Sequence, residues 1–166
     1  MSAIPLNAHL IVSSIYEEET EALPAPALCT VDEVMAREVI AVRPDTSLQT
    51  ASELMLENGI SGMPVVDEEG LLVGMLSKTD VVRHQLDEED EPAVTLPSGV
   101  HVLEGTTVED VMTRQVLTVR AGASLTEAAK LMVDAGVHRI PVVAPNGVLT
   151  GLVTTSDIVR WVAGLP

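Results

Sequence analysis

Apolar positions recur twice along the chain in the same order. Leu48, Ala51, Leu54 and Met55 fall at i, i+3, i+6 and i+7, a spacing that predicts one face of a helix, and Leu125, Ala128, Leu131 and Met132 repeat it. Gly59 and Gly136 follow these segments and suit the left-handed turn that ends a helix. The β-branched stretches Val39–Val42 and Val116–Val119 stand before each helix and predict a strand. After each helix, two short apolar runs flank a turn, Glu68-Glu69-Gly70 in one case and Pro145-Asn146-Gly147 in the other, the pattern of a β-hairpin. A last helix is predicted from near Ser77 and near Thr154. At the front of each set, Thr30-Val31-Asp32-Glu33 and Thr107-Val108-Glu109-Asp110 place a hydroxyl three residues before an acid, which caps a short helical turn.

These sets are one unit written twice. Residues 31–83 align without a gap on residues 108–160: Val34-Met35 on Val111-Met112, Pro64-Val65-Val66 on Pro141-Val142-Val143, and Gly70, Gly74 and Asp80 on Gly147, Gly151 and Asp157. Two copies of a long repeat are too few for a solenoid and predict two similar subdomains packed on each other. The expected fold is mixed α+β, two β-α-β-β-α units, each opened by a helical turn. The expected boundaries are an N-terminal extension over 1–29, unit 1 over 30–86, an acidic linker over 87–105 and unit 2 over 106–166. Glu17–Glu21 followed by Leu23-Pro24-Ala25-Pro26 reads as an acidic, stiff stretch. Asp87–Glu91 is a run of acids of the kind usually found in a solvated loop.

Composition narrows the function. With no Phe, one Trp and one Tyr, the core must be built from Val, Leu, Ile, Met and Ala. The net charge of −16 repels phosphate backbones and anionic lipids, which argues against nucleic acid and membrane surfaces as partners. The surplus acid suits simple solubility, or adaptation to a salty interior. No apolar run reaches the length of a membrane span, and the first 30 residues lack the basic start and apolar stretch of a signal peptide. A single cysteine, Cys29, cannot form an internal disulfide, which fits a reducing compartment, and a cytoplasmic location is expected.

The ordered set of Val-Met, strand, helix ending in Gly, x-x-x-Pro-Val-Val, Gly turn and Gly-x-x-Ser/Thr-x-x-Asp, present twice at one spacing, resembles the CBS domain, named after cystathionine β-synthase. The resemblance covers residues 31–83 and 108–160. It implies two units packed as a pseudo-twofold pair, commonly dimerised further, with two clefts between them for AMP, ADP, ATP or S-adenosyl compounds. No prosthetic group is implied.

The chemistry of the expected clefts follows from the residues the family motif marks. Ser77-Lys78-Thr79-Asp80 and Thr154-Thr155-Ser156-Asp157 each set hydroxyls and a carboxylate at a helix start. A carboxylate accepts charge-assisted bonds from ribose hydroxyls, and the helix N-terminus favours a phosphate. The same patterns also cap helices, and the two roles are compatible. His138-Arg139 is similar to the phosphate-holding version of the family, and is otherwise a surface pair, whereas Ser61-Gly62 resembles the version that faces adenine. The family geometry implies one cleft of Val39, Ile40, Ile60, Ser61, Gly62 and Met63 with Thr154, Ser156 and Asp157, His138 and Arg139 reaching its phosphates. A second cleft would join Val116, Leu117, Val137 and Ile140 to Ser77, Thr79 and Asp80, with Lys78 as a further phosphate contact.

Nothing in the sequence looks catalytic. His9, His84, His101 and His138 are scattered without metal spacing, and neither a Gly-x-x-x-x-Gly-Lys loop nor a Gly-x-Gly-x-x-Gly occurs. The expected function is a nucleotide-responsive regulatory module, a homodimer acting on a separate, unidentified protein. The alternatives are a ligand-free dimerisation scaffold and a divalent-cation sensor using the acidic linker.

Overall fold

The computed structural model describes residues 29–87, 93–95, 101–103 and 105–165. The chain opens with a 3-10 turn (Val31–Glu33), then α1 (Leu48–Glu57), β1 (Gly62–Val66), β2 (Leu72–Ser77) and α2 (Lys78–Asp87). A short hairpin follows, β3 (Ala93–Thr95) and β4 (His101–Leu103), where the sequence predicts only a linker. The second unit runs α3 (Val108–Val111), α4 (Leu125–Ala135), β5 (Arg139–Val143), β6 (Leu149–Thr154) and α5 (Thr155–Val162). Each unit therefore carries one antiparallel hairpin, β1–β2 or β5–β6, with two long helices beside it.

The local rules account for most of these elements. Ser47 and Ser124 cap α1 and α4 by accepting from Thr50 and Glu127 N–H groups. Gly59 at φ +63° and Gly136 at φ +65° take the left-handed conformation just past the ends of these helices. Asp67 Oδ1 accepts from Glu69 and Leu71 to shape the β1–β2 turn.

The strands expected at Val39–Val42 and Val116–Val119 shrink to single parallel bridges, Val42 to Val65 and Val119 to Val142. Val42 donates to Pro64 O, and Val66 donates back to Val42 O; Val119, Pro141 and Val143 repeat the arrangement. The next rung of each ladder needs an N–H from Pro64 or Pro141, which proline lacks, so the ladder stops. The segments just upstream, Val39–Ala41 and Val116–Thr118, make no backbone–backbone bond among the described residues.

The helical turn that opens each unit packs into the other unit. Val31 and Met35 lie in a buried cluster with Leu125, Ala128, Met132, Ile140 and Val153, while Val108 and Met112 lie with Leu48, Met55, Met63 and Leu76. Backbone bonds fix the exchange: Leu125 donates to Cys29 O, and Leu48 donates to Thr106 O. The close approach depends on glycine, since a Cβ on Gly74 would sit 2.5 Å from Met112 Sδ. At the far end, the two hairpin tips meet across the pseudo-twofold, Leu72 donating to Gly147 O and Leu149 to Gly70 O. No described helix is long and apolar enough to cross a membrane.

Candidate functional site

A cleft of about 470 Å³ opens between the units. One wall is the β2–α2 junction of unit 1, Ser77 to Asp80; the other is Thr113, Gln115 to Leu117 and Ala135 to Arg139 of unit 2. The fold explains the juxtaposition. Thr113 exchanges two 2.9 Å backbone bonds with Met75 of β2, and Val119 is bridged to β5, so Gln115–Leu117 must span the gap between the two hairpins. Its backbone is left unladdered by Pro141, and Leu117 is exposed.

Asp80 stands at the head of α2. Its Oδ2 accepts from Ser77 N–H at 2.8 Å and from the Ser77 hydroxyl, and Asp80 N–H donates back to Ser77 Oγ at 3.2 Å. Asp157 repeats this with Thr154, at 2.7, 2.7 and 3.3 Å. Both carboxylates thus cap their helices with one oxygen. Among the described residues the other oxygen of Asp80 accepts no hydrogen bond and has the Arg83 guanidinium at 3.9 Å. Lys78 is exposed at the same helix start, its backbone N–H anchored on Ser61 O at 3.0 Å.

Arg139 is half-buried at the start of β5 and lines the cleft. Its guanidinium reaches across the pseudo-twofold, Nη1 donating to Gly62 O and Nη2 to Ser61 Oγ. Both acceptors are neutral, and among the described residues no carboxylate lies within ion-pair range of Arg139. Burial without a counter-charge pushes its pKa down from the usual arginine value, although the group stays charged. With Lys78 and His138 beside it, and Asp80 as the single acid of the lining, the cleft is a cationic spot on a chain of net charge −16.

The structure redistributes the residues singled out in the sequence. Ser77, Lys78, Thr79, Asp80, Val116, Leu117 and Val137 come together as one cleft, and His138, Arg139 and Ser61 join them there. His138 and Arg139 directly follow Val137 and lead into β5, the strand bridged to Val119, so they face the same gap as Val116 and Leu117. Ile140 and Met63 are fully buried, their side chains in the two cores. Ile60 packs against the first core. Gly62 is buried with no room for a flat base at its Cα, since a Cβ there would lie 2.9 Å from Arg139 Nη1 and 2.7 Å from Leu76 O. Thr154, Ser156 and Asp157 begin α5, and Asp157 lines a smaller hollow with Glu33, Arg160 and Trp161. Val39 and Ile40 lie between Ala36, bridged to Leu152 of β6, and Val42, bridged to β1. Met75, Thr113, Gln115, Ala135, Gly136 and Pro141 complete the cleft; sequence reasoning misses them as site residues, because nothing in their local pattern marks them as such.

No group of three or more His, Cys, Asp or Glu among the described residues is placed to hold a metal. The acidic run Glu88–Glu91 lies outside the described residues, with Asp87 the last residue of α2.

The fold is that of a CBS-domain pair. The CBS domain family model matches residues 31–87 and 108–164, and the chain belongs to that family. The uncharacterized protein MJ1426 of Methanocaldococcus jannaschii is 31% identical over 150 residues, covering 78% of this chain and 89% of the relative. The crystal structure of CBSX2 in complex with AMP, a CBS-pair protein of Arabidopsis thaliana, is 33% identical with a TM-score of 0.69, covering 82% of this chain and 97% of that one. The CBS domain pair of protein MJ0100, solved with 5'-methylthioadenosine and S-adenosyl-L-methionine, is 25% identical with a TM-score of 0.66, covering 81% and 96%.

Proposed function

We propose that this chain is a regulatory module that binds an adenosine nucleotide in the Asp80 cleft and signals by changing the relative packing of its two units, without catalysis of its own. One observation carries the reading. Arg139, a half-buried cation whose partners among the described residues are neutral, shares a cleft with His138, Lys78 and Asp80. A ribose diol can bond to Asp80, the unladdered Leu117 backbone can meet an adenine edge, and Arg139 with Lys78 and the α2 N-terminus can hold phosphate. The volume falls within the usual range for small-molecule sites. The AMP bound to CBSX2 and the adenosyl compounds bound to MJ0100 support the same ligand class.

A ligand touching both units stabilises whichever packing it fits best, and a separate partner protein can read that packing. Val133, Val159, Val162 and Leu165 expose an apolar face on and just beyond α4 and α5, which suits self-association into a homodimer.

A thermal-shift panel of AMP, ADP, ATP, S-adenosylmethionine, Mg²⁺ and Ca²⁺ tests the reading. A ligand at about 100 times its Kd adds about 2.7 kcal/mol. We expect a shift with a phosphorylated adenosine compound. No shift with any nucleotide would favour the scaffold, and a shift with cations alone would favour the acidic segment.

A further inference from the structure

We infer that Arg139 is an electrostatic latch between the two units, closed on Ser61 and Gly62 as in this structure and opened by the anionic group of a ligand. The inference rests on the Asp80-cleft reading and adds its regulation.

The latch is one-sided. In the repeat alignment the counterpart of Arg139 is Gly62 itself, and that of His138 is Ser61. The pseudo-twofold axis therefore relates an arginine to the glycine over which it lies. A Cβ at Gly62 would come within 2.9 Å of Arg139 Nη1, so the glycine leaves the space that the guanidinium fills. The pair ties the start of β5 to the start of β1 across the unit boundary, and the pseudo-symmetry supplies no second copy of it.

The same guanidinium faces the cleft. Its present acceptors, a carbonyl and a hydroxyl, are neutral. A phosphate offers charge-assisted bonds, which are shorter and roughly twice as strong, in the forked geometry that arginine prefers. Ser61 also lines the cleft, so the two sets of acceptors compete for one donor within a single space. An uncharged nucleoside makes no such claim on Arg139. Phosphorylated ligands thus loosen the β1–β5 tie while nucleosides fill the cleft and leave it shut. The chain discriminates in its conformational response even where both ligands bind.

The test is NMR on the full chain with ¹⁵N-labelled arginine, Arg139 signals being assigned by their loss in Arg139→Lys. The amides of Leu72 and Leu149, which bond across the hairpin tips to Gly147 and Gly70, report the relative packing of the units. The amides of Leu117 and Val137 report occupancy of the cleft. With AMP, we expect all three sets to move. With adenosine, only Leu117 and Val137 should move. AMP that moves Leu117 and Val137 but leaves Arg139 in place, or adenosine that shifts Arg139 equally, overturns the latch and leaves the nucleotide reading standing. Neither compound moving Leu117 or Val137 overturns both.

Discussion

Met35 fills the space over Gly151: a Cβ on that glycine would lie 2.5 Å from the Met35 sulfur and 3.0 Å from Ala36 O. The contact joins the helical turn at the start of the sequence to the hairpin of unit 2, and Met112 over Gly74 mirrors it in unit 1. The packing unit is therefore not the repeat read from the sequence; each core borrows its lid from the other copy. Truncating Met35 to Ala removes a buried side chain and should cost about 2–5 kcal/mol. Hydrogen exchange locates the loss. We expect the amides of β5, β6 and α4 to open first, and an effect confined to β1 and β2 would contradict the exchange of lids.

The overpacking counterpart is Gly74→Ala. Its Cβ would press on Met112 Sδ and lie 3.2 Å from Thr113 O. Thr113 begins the segment that walls the cleft. A cost of about 1–3 kcal/mol is expected from displaced side chains, together with weaker nucleotide binding, since moving Thr113 moves Gln115–Leu117. Urea denaturation and ligand titration on the same variant check the two effects, and normal affinity would show that the wall does not depend on this contact.

Much of this was legible in the sequence. The gapless repeat set the register of the two hairpins, and Ser-x-x-Asp and Thr-x-x-Asp marked helix starts that the structure caps as the pattern implied. The elements that eluded sequence reasoning depend on long-range partners. Val39–Val42 has strand propensity, yet its ladder fails because the partner rung is Pro64, a residue far along the chain. The exchange of helical turns leaves no local trace, because Val31 and Met35 look equally apolar whichever core receives them. The side on which His138 and Arg139 act follows from the Val119 bridge to Val142, again a tertiary fact. The hairpin Ala93–Thr95 with His101–Leu103 was obscured by the acids before it.

Asp110 gives a pH signature. Its carboxylate accepts from Thr107 N–H at 2.8 Å and from the Thr107 hydroxyl at 2.7 Å, and these bonds hold its pKa below the ordinary aspartate value. A group whose folded pKa is depressed stabilises the fold above its unfolded pKa, and that stability is lost as pH falls through the folded value. Asp110→Asn should therefore melt lower than wild type at neutral pH and converge with it in acid. A gap that persists unchanged at acid pH would assign the effect to packing. Glu33, bonded to Thr30 N–H and hydroxyl at 2.8 Å each, should behave alike.

Self-association is tested at Val133, which is 81% exposed on α4. A charge there cannot disturb a core, but it would be desolvated in a dimer formed through the α4–α5 face. Sedimentation velocity should show Val133→Asp shifted to monomer at concentrations where wild type is dimeric. A dimer that survives the substitution would place the interface elsewhere.

The most direct measurement is calorimetric titration of AMP into the full chain and into Asp80→Asn. The substitution keeps an oxygen that can cap α2 but removes the charge offered to ribose hydroxyls, so the fold should hold while affinity falls about tenfold or more, the range expected for losing a charge-assisted bond of about 1.5–3 kcal/mol. Saturable binding to wild type, weakened in this way in a variant that still unfolds cooperatively and melts only as much lower as Asp110→Asn does, is the result this account predicts. Equal AMP binding by both chains, or binding by neither, would contradict it.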